Sequence, residues 1–159
     1  MARFHLLADW LAWQEQLHPR PIDLGLDRIK SVYRQLKPTK KTLTTITVAG
    51  TNGKGSTIAY LNAIYVAQGY QVGAYTSPHI LRYNERIQIN GIPVSDELIC
   101  AAFERIDDAR GDVSLSYFEF STLAALLIFS EAELDIQLLE VGLGGRLDAV
   151  SYTHLTLPT

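Results

Sequence analysis

Between an apolar run and a helix-forming run, residues 46–65 read ITVAGTNGKGSTIAYLNAIY. Thr42–Val48 is rich in β-branched residues, which suit a pleated surface, and predicts a strand. Residues 54–68 predict a helix that Gly69 ends. A strand that feeds straight into a helix cannot pair with its successor through a hairpin. It commits the chain to crossover connections and to a sheet covered on both faces. The turn between them also has a chemistry. Its main-chain N–H groups would stand at the positive end of a helix dipole, an arrangement that binds phosphate. Gly50, Gly53 and Gly55 would let the backbone approach the anion, Lys54 would reach its terminal oxygens, and the Ser56 hydroxyl would lie near a metal ion. The strict pattern G-x-x-x-x-G-K-[ST] does not fit, because Val48 holds the first glycine position and Gly55 separates Lys54 from Ser56. A plain strand-to-helix turn, with Lys54 solvated and Ser56 as a cap, accounts for the same residues.

The rest of the chain alternates helices and strands. An amphipathic helix is expected over 4–17, with Phe4, Leu7, Trp10 and Leu11 to one side and Pro19 as its stop. RPIDLGLDRI is a loop into a second helix near 27–36, and LKPTKK is a polar break. Gln71–Tyr75 is a short strand. Asn90-Gly91 sits between two alternating runs and predicts a hairpin. Ser95 caps a helix running to about Ala109. FEFSTLAALLIFSEAE is a mostly apolar helix and is therefore expected to be buried on several sides, and DIQLLEVG is a strand ending in an acid. The fold class that follows is α/β, a mainly parallel sheet flanked by helices.

Composition excludes several classes. The net charge is −3 and the basic residues are scattered, which points to neither a nucleic-acid surface nor a polybasic membrane patch. No apolar run reaches membrane-spanning length, and Asp9, Gln14 and Glu15 interrupt the first helix, so neither a signal peptide nor a membrane span is expected. Cys100 is the sole cysteine and lies on an apolar helix face, so a buried, inert thiol and a reducing cytoplasm are expected.

A second motif raises the weight of the first. In IQLLEVGLGGRLDA a strand ends in Glu140 and runs into glycines. Ligands of open α/β sheets sit at the carboxyl ends of strands, so Glu140 and the 50–56 loop would share one edge, where an acid can complete a Mg²⁺ site. VAGTNGKGST, YTSPHILRYNERI, SYFEF and LLEVGLGGRLDA, in that order over about residues 10–149, resemble the folylpolyglutamate synthases of the Mur ligase superfamily, whose loop reads G-T-N-G-K-G-[ST]. The resemblance implies a P-loop Mur-ligase-type ATPase domain. It also implies an ATP-dependent ligase that adds L-glutamate to dihydropteroate and to reduced folates through an acyl phosphate, with Mg²⁺. A typically monomeric state is implied as well.

By the same resemblance the nucleotide loop is Gly50, Thr51, Asn52, Gly53, Lys54, Gly55 and Ser56. The Mg²⁺ ligands are Ser77 and Glu140, with Ser56 close by, and Lys54 and Glu140 carry the chemistry. The pterin pocket draws on Ile22, Asp23, Leu24 and Gly25, on Ser116, Tyr117, Phe118 and Glu119, and on Leu147, Asp148 and Ala149. Aromatics can stack on a pterin and carboxylates can accept its N–H groups. Arg82, Asn84, Glu85 and Arg86 fit a substrate contact and a solvated loop equally well, and Lys54 is expected to be exposed until phosphate arrives. From Val150 the chain departs from the family pattern. VSYTHLTLPT is expected to be a non-native tail on an N-terminal part, 1–149, of the ATPase domain, with the C-terminal domain missing. The ATPase part of another Mur-type ligase, or a non-catalytic nucleotide-binding module, remains the alternative.

Overall fold

Parity along two short strands organises the molecule, for which the computed structural model describes residues 3–17, 26–38 and 43–142. The strands are β1 (Thr44–Val48), β2 (Val72–Tyr75), β3 (Ile87–Ile89), β4 (Ile92–Pro93) and β5 (Ile136–Glu140). The helices are α1 (Leu7–Leu17), α2 (Asp27–Leu36), α3 (Lys54–Ala67), α4 (Asp96–Arg110) and α5 (Tyr117–Glu131), with a 3₁₀ turn at Tyr83–Arg86. One sheet has the order β1-β5-β2-β3-β4. The β1, β5 and β2 strands run parallel, whereas β3 and β4 are added antiparallel. The expected parallel sheet is thus its centre, and the Asn90-Gly91 hairpin makes the whole a mixed sheet. Asn90 and Gly91 both take positive φ, 53° and 78°, as a tight two-residue turn between twisted strands requires.

Successive strand residues face opposite ways. In β2 and β5, Val72, Ala74, Ile136 and Leu138 turn to α3, where they pack with Ile58. Tyr75 and Leu139 turn to the other face and join the larger core beneath α5. Every residue of α5 from Glu119 to Ser130 is buried, because α1, α2 and α4 cover its outer side. This is why its sequence lacks a polar stripe. Trp10, Phe103 and Phe120 are fully buried at that junction, and the Trp10 indole donates to the Phe4 carbonyl at 3.2 Å.

Gly73 faces α5 as well. A Cβ there would lie 2.7 Å from Leu134 Cδ1 and 2.8 Å from Phe129 Cδ1, so the glycine admits the Phe129 ring. Cys100 on α4 is half-buried rather than fully enclosed, and burial pushes its thiol pKa up. No helix among the described residues is long and apolar enough to cross a membrane.

Candidate functional site

The carboxyl ends of β1, β5 and β2 form one edge, and strand parity places a carboxylate there. Glu140 follows Ile136 and Leu138 on the α3 side of β5, so its side chain turns toward the start of α3. A Cβ on Gly55 would stand 3.7 Å from Glu140 Oε2. The helix begins at Lys54, with Gly53 in the left-handed region at φ 76° as its cap and no side chain capping it. The first main-chain bond of the turn is Thr57 N–H to the Gly53 carbonyl at 2.9 Å. The N–H groups of Lys54, Gly55 and Ser56 precede it and face the site as unsatisfied donors of a helix start do.

Lys54 is not the exposed side chain expected from sequence. Only 19% of it is accessible, because Nζ folds back to donate to the Gly50 carbonyl at 3.0 Å. In that posture it stands 4.0 Å from Glu140 Oε1, too far for a hydrogen bond. The Glu140 carboxylate is buried, and its Oε2 accepts from the Ser77 N–H at 3.1 Å. One acid oxygen is therefore anchored to the chain after β2, while the other faces the lysine across a gap. A cleft of about 480 Å³ opens here, lined by Gly53, Gly55, Ser56, Ser77 and Glu140 among others. Thr51 and Asn52 are exposed on the loop above it.

The donor set at this edge is hard oxygen: one carboxylate and the hydroxyls of Ser56 and Ser77. No group of three or more His, Cys, Asp or Glu that could hold a metal occurs among the described residues. That suits Mg²⁺, which takes one or two carboxylates and leaves its other positions to water and phosphate oxygens, and it does not suit a softer metal.

The predicted pterin residues divide. Ile22, Asp23, Leu24, Gly25, Leu147, Asp148 and Ala149 lie outside the described residues, as does the 150–159 tail. Ser116–Glu119 form the start of α5, on the opposite face of the sheet from Lys54. The Phe118 ring lies directly over Gly142, where a Cβ would come within 2.5 Å of it, so this aromatic sits at the same carboxyl edge as Glu140. The Glu119 carboxylate is already engaged. Its Oε2 accepts from Ser116 N–H at 2.8 Å in a capping box, and both oxygens accept from Arg28 Nη2, at 3.1 and 3.2 Å.

The loop after Ser77 is organised in a way the sequence did not signal. The Glu85 carboxylate accepts the N–H groups of Ile80 at 2.7 Å, Leu81 at 3.0 Å and Arg82 at 2.8 Å, which together hold its pKa below the usual range. Asn84 is tied to the Val94 carbonyl at 2.8 Å and to Asp96 at 2.6 Å. Arg86 is buried, not solvated. The run of polar residues around one tyrosine, Arg82 and then Asn84 to Arg86, fits a solvated loop equally well and carries no signal of this order.

No family model matches the chain. It is 50% identical over 145 residues to the dihydrofolate synthase/folylpolyglutamate synthase of Escherichia coli, covering 91% of this chain and 34% of that protein. It is 52% identical over 155 residues to the protein of the same name from Haemophilus influenzae, covering 96% of this chain and 35% of that one. Among solved structures, E. coli FolC in complex with DHPP and ADP superposes with a TM-score of 0.89 at 50% identity, over 92% of this chain and 35% of that chain. A bifunctional folylpolyglutamate synthase/dihydrofolate synthase with Mn, AMPPNP and L-glutamate bound gives 0.85 at 51% identity, over 91% and 35%. The chain spans about a third of the length of the curated relatives it matches.

Proposed function

We propose that this chain is part of an ATP-dependent ligase of the folylpolyglutamate synthase kind, its 1–149 portion belonging to the ATPase domain. The enzyme joins L-glutamate to dihydropteroate or to a reduced folate. The observation that carries this reading is the meeting of a glycine loop, a lysine and a buried carboxylate at one sheet edge, with an aromatic on the opposite face of that edge. A ligase that activates an acid with ATP needs the nucleotide and the acid to meet end to end. A sheet edge with a nucleotide loop on its α3 side and Tyr117 and Phe118 on its α5 side supplies that meeting point. The similarity to enzymes solved with ADP, AMPPNP, Mn, DHPP and L-glutamate supports the same assignment.

In this reading the N–H groups from Gly53 to Ser56 and the Lys54 ammonium hold the phosphates of ATP. Lys54 gives up the Gly50 carbonyl to do so and neutralises charge as the terminal phosphoryl group leaves. Glu140, anchored by Ser77 N–H, together with the hydroxyls of Ser56 and Ser77 would hold Mg²⁺, which supplies charge neutralisation between the phosphates when bound. Phe118 stacks the pterin. Glu119 holds the first turn of α5 in place and does not touch substrate.

Lys54→Ala is the test. In the intact protein it should lower glutamate-dependent phosphate release by about 10²–10³, the usual cost of removing one electrostatic stabiliser from such a site. The thermal midpoint should hold, because the Lys54 head group makes one hydrogen bond, to the rim of its own loop. Activity within a few-fold of wild type would remove Lys54 from the site.

A further inference from the structure

Arg86 is a charged side chain that the proposed chemistry leaves unused, and its surroundings are unusual. It is only 8% exposed, at the end of the 3₁₀ turn beside the carboxyl edge, where its carbonyl accepts Thr76 N–H at 2.9 Å. Its Nε donates to His79 Nδ1 at 2.9 Å. Its guanidinium carbon stands 5.5 Å from the ring centroids of both Tyr83 and Tyr117. Among the described residues no carboxylate is paired with it. By contrast Arg3, Arg28, Arg105 and Arg110 each have an acid partner.

Burying a charge is costly unless an opposite charge or a full set of hydrogen bonds compensates. Two aromatic faces return part of that cost. The imidazole contributes a neutral acceptor and no negative charge, because its unprotonated Nδ1 accepts the Arg86 Nε–H. The Nη groups keep their donors, in the planar fork that matches a carboxylate. Glu85, which could have neutralised the arginine, is spent on the N–H groups of Ile80, Leu81 and Arg82. A buried guanidinium between two tyrosine rings, opposite Thr76 at the carboxyl edge and with no carboxylate partner among the described residues, is suited to receive an anion.

We infer that Arg86 binds the carboxylate end of the acid that the enzyme activates, with Tyr117 as its wall. This deepens the ligase reading and rests on it. The acceptor then lies with its flat ring system toward Phe118 and its acid group on Arg86, next to the edge where Ser77 and Glu140 stand. Arg86 acts by positioning the acid, and it forms no bond to it.

The test compares pteroate with its methyl ester, which differ by one negative charge, by calorimetric titration of the wild type, Arg86→Met and Arg86→Lys. AMPPNP binding serves as the check that each variant is folded. The wild type should bind the acid about 10–100-fold more tightly than the ester, the span that one buried charge-assisted pair provides. Arg86→Met should lose that preference while keeping AMPPNP affinity, and Arg86→Lys should recover part of it. If the wild type binds acid and ester equally well, Arg86 is structural and the ligase reading stands. A wild type that binds AMPPNP but neither pterin removes the acceptor site with it. The comparison within the wild type needs no substitution, so an unfolded variant leaves the inference open to refutation.

Discussion

Replacing Glu119 separates a structural carboxylate from a substrate-binding one. Its oxygens take the Ser116 N–H at 2.8 Å and Arg28 Nη2 at 3.1 and 3.2 Å, and its side chain is 3% exposed. Loss of the cap bond costs about 1 kcal/mol. Loss of the charge-assisted bond to Arg28 costs about 2 kcal/mol, near the middle of the measured range. The penalty for an isolated buried charge is not reached, because the Arg28 side chain is 25% exposed and can recover water. Glu119→Ala should therefore destabilise by about 3 kcal/mol, and Glu119→Gln, which keeps an acceptor for Ser116, by about 2 kcal/mol. At 2–4 °C per kcal/mol for a chain of this size, the alanine variant should melt roughly 6–12 °C lower. Calorimetric or fluorescence melts of both variants, with Arg28→Met and the Arg28→Met/Glu119→Gln double variant, complete a cycle whose coupling should be favourable. A Glu119→Ala melt within about 1 °C of wild type, or no coupling with Arg28, would refute this assignment and return the carboxylate to the substrate pocket.

Gly73→Ala should destabilise by about 1–2 kcal/mol in urea, because displacing Phe129 and Leu134 costs more than the reduced chain entropy returns. An unchanged or raised midpoint would mean that the Phe129 ring moves freely. His79 should titrate below 6.5 by NMR, since burial first and the Arg86 charge second disfavour its protonated form, with Glu85 opposing. The unfolded chain then takes the proton more readily, so this residue withdraws stability as pH falls from about 6.5 toward the lowered folded value and contributes nothing above it. A His79 midpoint at or above 6.5 would contradict the contact with Arg86.

Periodicity made most of the architecture legible in the sequence. The boundaries of α3, α5 and β5 fall within a residue or two of where Gly69, the apolar run FEFSTLAALLIFSEAE and the apolar strand DIQLLEVG put them. The hairpin followed from Asn90-Gly91 alone. At the site, the glycine loop and Glu140 were legible because strand ends and helix starts have fixed chemistry. What could not be read were properties that depend on partners distant in sequence. Arg86 looks like any solvent-facing arginine until Tyr117, thirty-one positions on, packs over it. The pairing of Glu119 with Arg28 could not be read either, because nothing near Glu119 in sequence announces a partner ninety-one positions away. Lys54 looked free because its acceptor, a carbonyl in the same loop, has no side-chain signature. Residues 82–86 carry the polar pattern of a solvated loop, yet Tyr83 and Arg86 are buried, and the segment winds into the 3₁₀ turn that delivers Arg86 to its aromatic neighbours.

The place of β5 between β1 and β2 has a consequence for how the molecule is made. Thr44 pairs with Ile136, and Val72 pairs with the same residue from the other side. Neither of the earlier strands finds a neighbour in the other, so on a ribosome both must wait while about sixty further residues emerge after β2. During that interval the α3 unit and the β2–β3–β4 ribbon exist apart, with their parallel edges open to any passing strand. The segment that closes them carries Glu140 at its last position. The joining of β1 to β2 and the arrival of the acid proposed to hold the metal are thus one event, and in a nascent chain the glycine loop and that acid do not meet before β5 is in place.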